Sequence, residues 1–212
     1  MSSAHPLTDD LRARRRTWLL GGVLFVAYVL VGCSQPAVPG LLTGWVPNVL
    51  FGAGAVVFAI GLGRAGSVTG RQPLGTGAII ALAVWQLLAP MWGAMLFGPS
   101  PEVDDLLGIM IVDTVVPVVA VMLAAIAVVQ IARAGVVPPR WRWAPLWALI
   151  AVVVVPLLEA VLNAAQVLTA STGYYVLLAF GGLIHAAAMT FLGVLAIALA
   201  SQQPVTATEA SA

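Results

Sequence analysis

Long apolar segments without charge restrict the fold of this chain more than any other feature of its sequence. Between Trp18 and Gly63 there is no Asp, Glu, Lys or Arg. Charged residues make up 8% of the 212 residues and hydrophobic residues 61%, whereas soluble domains carry roughly 25% charged residues. Such a chain cannot cover a water-facing surface, so we predict that its apolar side chains face lipid.

Lipid limits the backbone to two solutions. Every N–H and C=O in hydrocarbon needs a partner within the protein, which leaves helices or a closed barrel. Barrel strands alternate apolar and polar residues, whereas the apolar runs here are continuous and rich in Ala, Leu and Val. We therefore predict an all-α fold, a polytopic membrane helix bundle.

The apolar runs are long enough for six transmembrane helices. A hydrocarbon core about 30 Å thick needs about 20 apolar residues per helix, and Gly and Pro mark the gaps between the runs. The predicted spans are Trp18–Gln35, Val46–Gly63, Gly75–Phe97, Leu106–Ala132, Ala144–Leu168 and Tyr174–Ala200. The predicted organisation is a cytoplasmic N-terminal tail, a six-helix transmembrane domain and a cytoplasmic C-terminal tail, with the ranges 1–16, 17–200 and 201–212.

The arginines predict the orientation. The chain has nine basic residues, all of them Arg, and in a six-span arrangement all lie on one side. The opposite loops carry Glu102, Asp104 and Asp105. Because Arg-rich loops stay in the cytoplasm, we expect both termini to be inside. The Ala-, Gly-, Val- and Arg-rich composition without Lys is typical of a bacterial protein, so we predict a bacterial cytoplasmic membrane.

Two loops on the arginine-rich side share a pattern, R-A-G-x-V-x-x-R, at 64–71 and 133–140. Duplication of a two-helix unit would produce such an echo. Convergence would also produce it, because Gly ends helices and Arg anchors the inner face. The flanking spans align poorly, which favours convergence.

The sole cysteine leaves one alternative for the first span. Leu30-Val31-Gly32-Cys33 resembles the lipobox of a bacterial lipoprotein signal, which would remove the span and lipidate Cys33. The other reading is an ordinary first helix with a buried Cys. We predict that the span is retained and that Cys33 is unmodified.

Polar side chains inside the predicted spans are the candidate site. Ionisable residues within a membrane mark functional positions by default. Counted from the outer span ends, they lie about 10 to 16 Å deep, in the outer half. Glu159 and Asn163 share a helix face because they are four residues apart. The predicted binding residues are Glu159, Asp113, His185, Asn163, Gln86 and, as an aromatic wall, Trp85.

Three prolines accompany these residues, namely Pro90, Pro117 and Pro156. Bent helices at one depth would open an outward-facing cavity. Carboxylates and aromatic walls suit a small cationic or amphipathic molecule, so binding or transport is the first hypothesis. In the alternative, the polar groups only fasten helices together.

Two other functional classes stay open. One is an accessory or structural membrane subunit without chemistry, acting in a homo-oligomer or with a partner subunit. The other is a membrane-embedded enzyme acting on a lipid or isoprenoid, with a buried carboxylate pair as acid and base. The chain has no H-E-x-x-H and no G-x-S-x-G motif, so we assign no catalytic residue. We also predict no metal, no cofactor and no nucleic-acid partner.

Overall fold

Helices make up almost all of the residues that the computed structural model describes. It describes residues 5–34, 45–61, 67–70, 72–97, 106–164 and 172–202, with the backbone alone at several helix ends. No strand occurs in these ranges. The helices are α1 (His5–Ser34), α2 (Trp45–Ile60), α3 (Pro73–Phe97), α4 (Leu106–Ala134), α5 (Ala144–Ala164) and α6 (Thr172–Ser201).

The predicted all-helical class is confirmed. Among the described residues, five helices contain a segment long and apolar enough to cross a membrane, as expected of a membrane-embedded protein. The exception is α2, whose 16 residues extend about 24 Å, less than a hydrocarbon core of about 30 Å. The count of six spans and the orientation therefore remain predictions.

The ends of α1 and α2 differ from the predicted spans. Helix α1 begins at His5 rather than Trp18, because Pro6 is tolerated in a first turn and the following Leu, Arg and Ala residues favour helix. Helix α2 ends at Ile60, where Gly61 adopts a positive φ of 70°. The Gly61 N–H donates to the Val57 carbonyl at 2.9 Å, a glycine C-cap. The predicted end of span five, Leu168, lies outside the described residues.

The helices form a ring in sequence order. Each packs against its neighbours, α6 closes on α1, and α4 and α5 make the sparsest contact. Neighbours are antiparallel: along α1 and α6, Gly22 lies near Ala196 while Tyr28 bonds His185. Because of this alternation, the start of α1 and the α2–α3 and α4–α5 connections lie together. We call this the loop end of the bundle.

Glycines bring α1 and α6 unusually close. A Cβ added at Gly22 would lie 2.6 Å from the Gly193 carbonyl oxygen, and one at Gly193 would lie 2.9 Å from the Gly22 oxygen. Since both obstacles are backbone atoms, neither position accepts a side chain without movement of a helix. Small residues at an interface allow this kind of close packing in membranes.

Candidate binding cavity

An apolar cavity lies inside the ring. Its volume is about 220 Å³, and all six helices contribute to its wall. Every lining residue is hydrophobic or proline. One representative from each helix, in chain order, is Phe25, Ala55, Ile79, Ala127, Val152 and Met189.

The two related loops close the cavity at the loop end. Val68 and Val137 both line it, and both are buried. They occupy the same position, the shared Val, in the R-A-G-x-V-x-x-R pattern. The pattern that the two loops share therefore has the same structural role in each loop. It places one valine against the cavity at the loop end of the bundle.

Buried hydroxyl groups hold Val68 in place. The Ser67 Oγ donates to the Ala59 carbonyl at 2.6 Å and lies 3.0 Å from the Thr69 Oγ1. The Thr69 hydroxyl is in turn 2.8 Å from that of Thr76 on α3. Carbonyls in the last turn of a helix have no partner within the helix, so this loop satisfies α2 while it closes the cavity.

Aromatic rings line the wall formed by α1 and α2. The Phe25 ring centroid is 5.6 Å from that of Phe51 and 5.5 Å from that of Phe58. Further from the loop end, the Tyr28 hydroxyl and the His185 Nε2 form a hydrogen bond of 2.9 Å. Tyr28 and His185 lie within about one turn of the lining residues Phe25 and Met189, so this polar pair stands just beyond the apolar wall.

At the loop end of the cavity, the guanidinium of Arg14 lies close to the indole ring of Trp18. The Arg14 Nη2 donates to the Val136 carbonyl at 2.6 Å, and the Arg14 Cζ lies 5.5 Å from the Trp18 ring centroid. Trp18 lines the cavity and is 3% exposed. The Arg14 Nε and the Trp18 Nε1 are both buried without a hydrogen-bond partner.

Two of the predicted site residues lie near the same part of α6, one on that helix and the other on the neighbouring α5. His185 is half-buried and bonded to Tyr28 of α1. Glu159 is half-buried on α5, and its Oε1 lies 3.3 Å from the position that a Cβ on Gly181 would take. Gly181 is one turn before His185. The glycine thus makes room for the carboxylate of the neighbouring helix.

The other predicted site residues are more dispersed. Asp113 is exposed on α4, and Gln86 is half-buried on α3. The Trp85 Nε1 donates to the Val116 carbonyl at 2.9 Å. The side chain of Asn163 lies outside the described part of the chain. Asp113, Gln86 and Trp85 do not line the cavity described above, and convergence of the predicted residues on an outer-half site stays a prediction.

Three residues of interest were not among the predicted site residues. Tyr28 is an isolated polar aromatic residue in an apolar span. This isolation is the sequence signal that could have identified it as a candidate site residue. In the sequence, Arg14 is one of the nine arginines that predict the orientation, and Trp18 is the first residue of the first predicted span. Cys33 is exposed, whereas the reading of span one as an ordinary first helix predicts a buried cysteine.

Neither metal ligands nor relatives indicate a reaction. Among the described residues there is no group of three or more His, Cys, Asp or Glu side chains that would hold a metal ion. Comparisons with models of protein families, with curated proteins and with solved structures find no match to this chain. The geometry of the cavity is therefore the feature of this chain that bears on its function.

Proposed function

We propose that this chain is a multi-pass membrane protein that binds a small amphipathic molecule, whose apolar part occupies the cavity within the bundle. The supporting observation is the cavity itself, about 220 Å³ and lined by apolar side chains from every helix. An engineered cavity of about 150 Å³ binds benzene, so by proportion this one has room for roughly nine non-hydrogen atoms.

The energy of an empty cavity favours an occupant. Residual cavities in protein cores destabilise by about 24 cal/mol per Å³. The cavity here, about 220 Å³ and partly open, carries the same kind of cost for the part of its wall that is closed off. A ring of helices with nothing inside would gain stability by collapsing, whereas a bound apolar body offsets that cost. An occupant drawn from the membrane satisfies this requirement.

Access from the bilayer runs between α4 and α5. This seam has the sparsest contacts of the ring, and each of the two helices contains a proline, Pro117 or Pro156. A proline removes a backbone hydrogen bond and bends its helix. Two bent helices that touch little separate at a smaller cost than the tightly packed α1 and α6.

The placement in the membrane is part of this proposal. All six helices cross a bacterial cytoplasmic membrane, and the loop end faces the cytoplasm together with both termini. The loop end carries Arg14, Arg133 and Arg140 among the described residues, in agreement with the rule that Arg-rich loops stay inside. The short α2 is accommodated by local thinning of the bilayer.

A cavity-filling variant tests the proposal. Ala55 lines the cavity, whereas Ala53, two residues earlier on α2, is exposed. Ala55→Leu should raise the melting temperature of the ligand-free protein in phosphatidylcholine nanodiscs, because it fills empty volume. It should also abolish the stabilisation that indole or 1-decanol gives the wild type. Ala53→Leu should change neither quantity.

A second filling variant guards against local crowding at Ala55. Ala148 lines the cavity from α5, so Ala148→Leu should give the same two results. If the two ligands stabilise the wild type and both filled variants equally, the cavity is not their site. The accessory role would then become the better account of this chain.

A second candidate function is binding of a small cation at Glu159. The observation that favours it is the half-buried carboxylate against Gly181, one turn from His185. Glu159→Gln keeps the shape of the side chain, so it should leave the melting temperature unchanged and abolish stabilisation by added amines. If Glu159 only joins helices, Glu159→Gln should be silent and Glu159→Leu should cost roughly 1–2 kcal/mol.

A further inference from the structure

We propose that Arg14 and Trp18 form a head-group site for an anionic, single-chain amphiphile, whose chain occupies the apolar cavity. This inference rests on the proposed function, because the chain of the ligand needs the cavity. The head group that it predicts carries a carboxylate or phosphate oxygen and lies at the loop end.

Two buried donors without acceptors point to the head group. The Nε of Arg14 and the Nε1 of Trp18 are both inaccessible and unbonded. Both atoms carry hydrogen and can only donate. Unsatisfied buried donors are rare in proteins and call for a specific explanation. A ligand oxygen that enters through a small shift of the side chains covering these two atoms would supply the acceptor that the protein itself does not.

The charge of Arg14 indicates an anion rather than a neutral acceptor. Its guanidinium is half-buried, bonded to the Val136 carbonyl and stacked near the Trp18 ring. Where the structure describes side chains, no carboxylate forms an ion pair with Arg14. Guanidinium groups bind anionic oxygens more strongly than neutral ones, often through two N–H groups at once. The Nη2 of Arg14 already donates to the Val136 carbonyl, so Nε is the Arg14 donor that still lacks an acceptor.

The cavity determines the rest of the ligand. It extends from Trp18 to Phe25 along α1, a rise of about 10 Å, and has no polar wall residue that would accept a second head group. Its volume of about 220 Å³ admits roughly nine non-hydrogen atoms. One medium-length chain fits this space, whereas two chains do not.

Equilibrium dialysis with three ligands of one chain length tests the proposal. Radiolabelled decanoate, decyl phosphate and 1-decanol are measured against the full-length protein in phosphatidylcholine nanodiscs. The measurement is made at about pH 8, where a carboxylic acid is ionised. Uptake by the Ala55→Leu variant defines partition into lipid and is subtracted. Comparison of the two acids shows whether a carboxylate or a phosphate is preferred.

Arg15 provides the matched control, because it is the next residue, carries the same charge and is exposed. Arg14→Gln should weaken binding of the preferred acid by about tenfold or more, as expected for lost hydrogen bonds to a charged group. It should change 1-decanol binding by less than about twofold. Arg15→Gln should affect none of the three ligands. Trp18→Phe keeps an aromatic ring but removes the indole N–H, so it should weaken binding of the acids more than binding of 1-decanol, even where Arg14→Gln folds poorly.

The outcomes separate this inference from the proposed function. If 1-decanol binds the wild type as tightly as either acid does, the head-group site is refuted and the apolar cavity stands. Equal effects of Arg14→Gln and Arg15→Gln on the acids would also refute it, because they would indicate a general attraction to the arginine-rich end. If none of the three ligands exceeds the Ala55→Leu baseline, the proposed function itself fails.

Discussion

The pair formed by Tyr28 and His185 illustrates how single polar residues are accommodated in this bundle. Each would be costly alone in an apolar environment, since an unpaired buried polar group loses its bonds to water. Together they share one hydrogen bond of 2.9 Å that joins α1 to α6. The pair therefore fastens the seam at which the ring of helices closes.

A double-mutant cycle should measure this bond. Tyr28→Phe removes the hydroxyl but keeps the ring that packs on Phe51, and His185→Leu removes the other partner. We expect the two substitutions to couple by about 0.6 kcal/mol and by no more than about 1.7 kcal/mol, the average and the maximum found for hydrogen bonds between membrane helices. The coupling is read from unfolding of the four proteins in mixed micelles. Additive effects would show that the bond contributes nothing to stability.

The candidate site was only partly predictable at this scale. His185 and Glu159 stand out in the sequence because they are ionisable residues in apolar spans. Their contacts do not, since Tyr28 is 157 positions away from His185. The cavity wall could not be predicted either. In the sequence, Phe25 and Ala55, which face the cavity, cannot be distinguished from a phenylalanine or alanine that faces lipid.

Among the helices, the close crossing of α1 and α6 depends on two glycines. Gly22 and Gly193 each lie against the backbone carbonyl of the other. Gly and Pro positions predicted most of the helix ends to within a few residues, and the described residues form six helices, as predicted. The early start of α1 was not predicted, because its first turns are polar and hydropathy identifies only membrane-spanning segments.

Alanine substitutions on α1 should distinguish the crossing from ordinary helix propensity. Gly22→Ala places a methyl group against the Gly193 carbonyl and should destabilise the protein by roughly 1–3 kcal/mol, the usual cost of overpacking. At Gly32 on the same helix, no described atom outside its own helix backbone lies within 4 Å of the corresponding position. Gly32→Ala should therefore be neutral or slightly stabilising, as Ala favours helix. Equal melting temperatures for the two variants would contradict the close crossing.

For the whole molecule, the arrangement of six helices in a ring places all described loops at one end. Hydropathy and arginine counts predicted the helices, but they carry no information on which helices touch. The closure of α6 on α1 and the loose contact between α4 and α5 depend on side-chain packing over long sequence separations. For this reason the fold class was predictable and the internal cavity was not.

Accessibility of introduced cysteines tests the predicted orientation. Gln72 is exposed at the loop end, and Ser100 lies between α3 and α4, outside the described residues. In a Cys33→Ser background, Ser100→Cys should react with a membrane-impermeant thiol reagent in intact cells, whereas Gln72→Cys should react only after lysis. The reverse pattern would place the arginine-rich end outside and contradict the orientation.

Anomalous diffraction can show whether the space inside the bundle accepts an apolar body. Bromobenzene is close in size to the ligands of known apolar cavities, and its bromine can be located without bias in crystals grown from a lipid phase. In crystals soaked with bromobenzene, we predict a bromine peak between Ala55 and Val152, both of which line the cavity. The same soak should give no such peak in Ala55→Leu crystals. Bromine peaks confined to the outer, lipid-facing surface of the wild-type bundle would contradict the account.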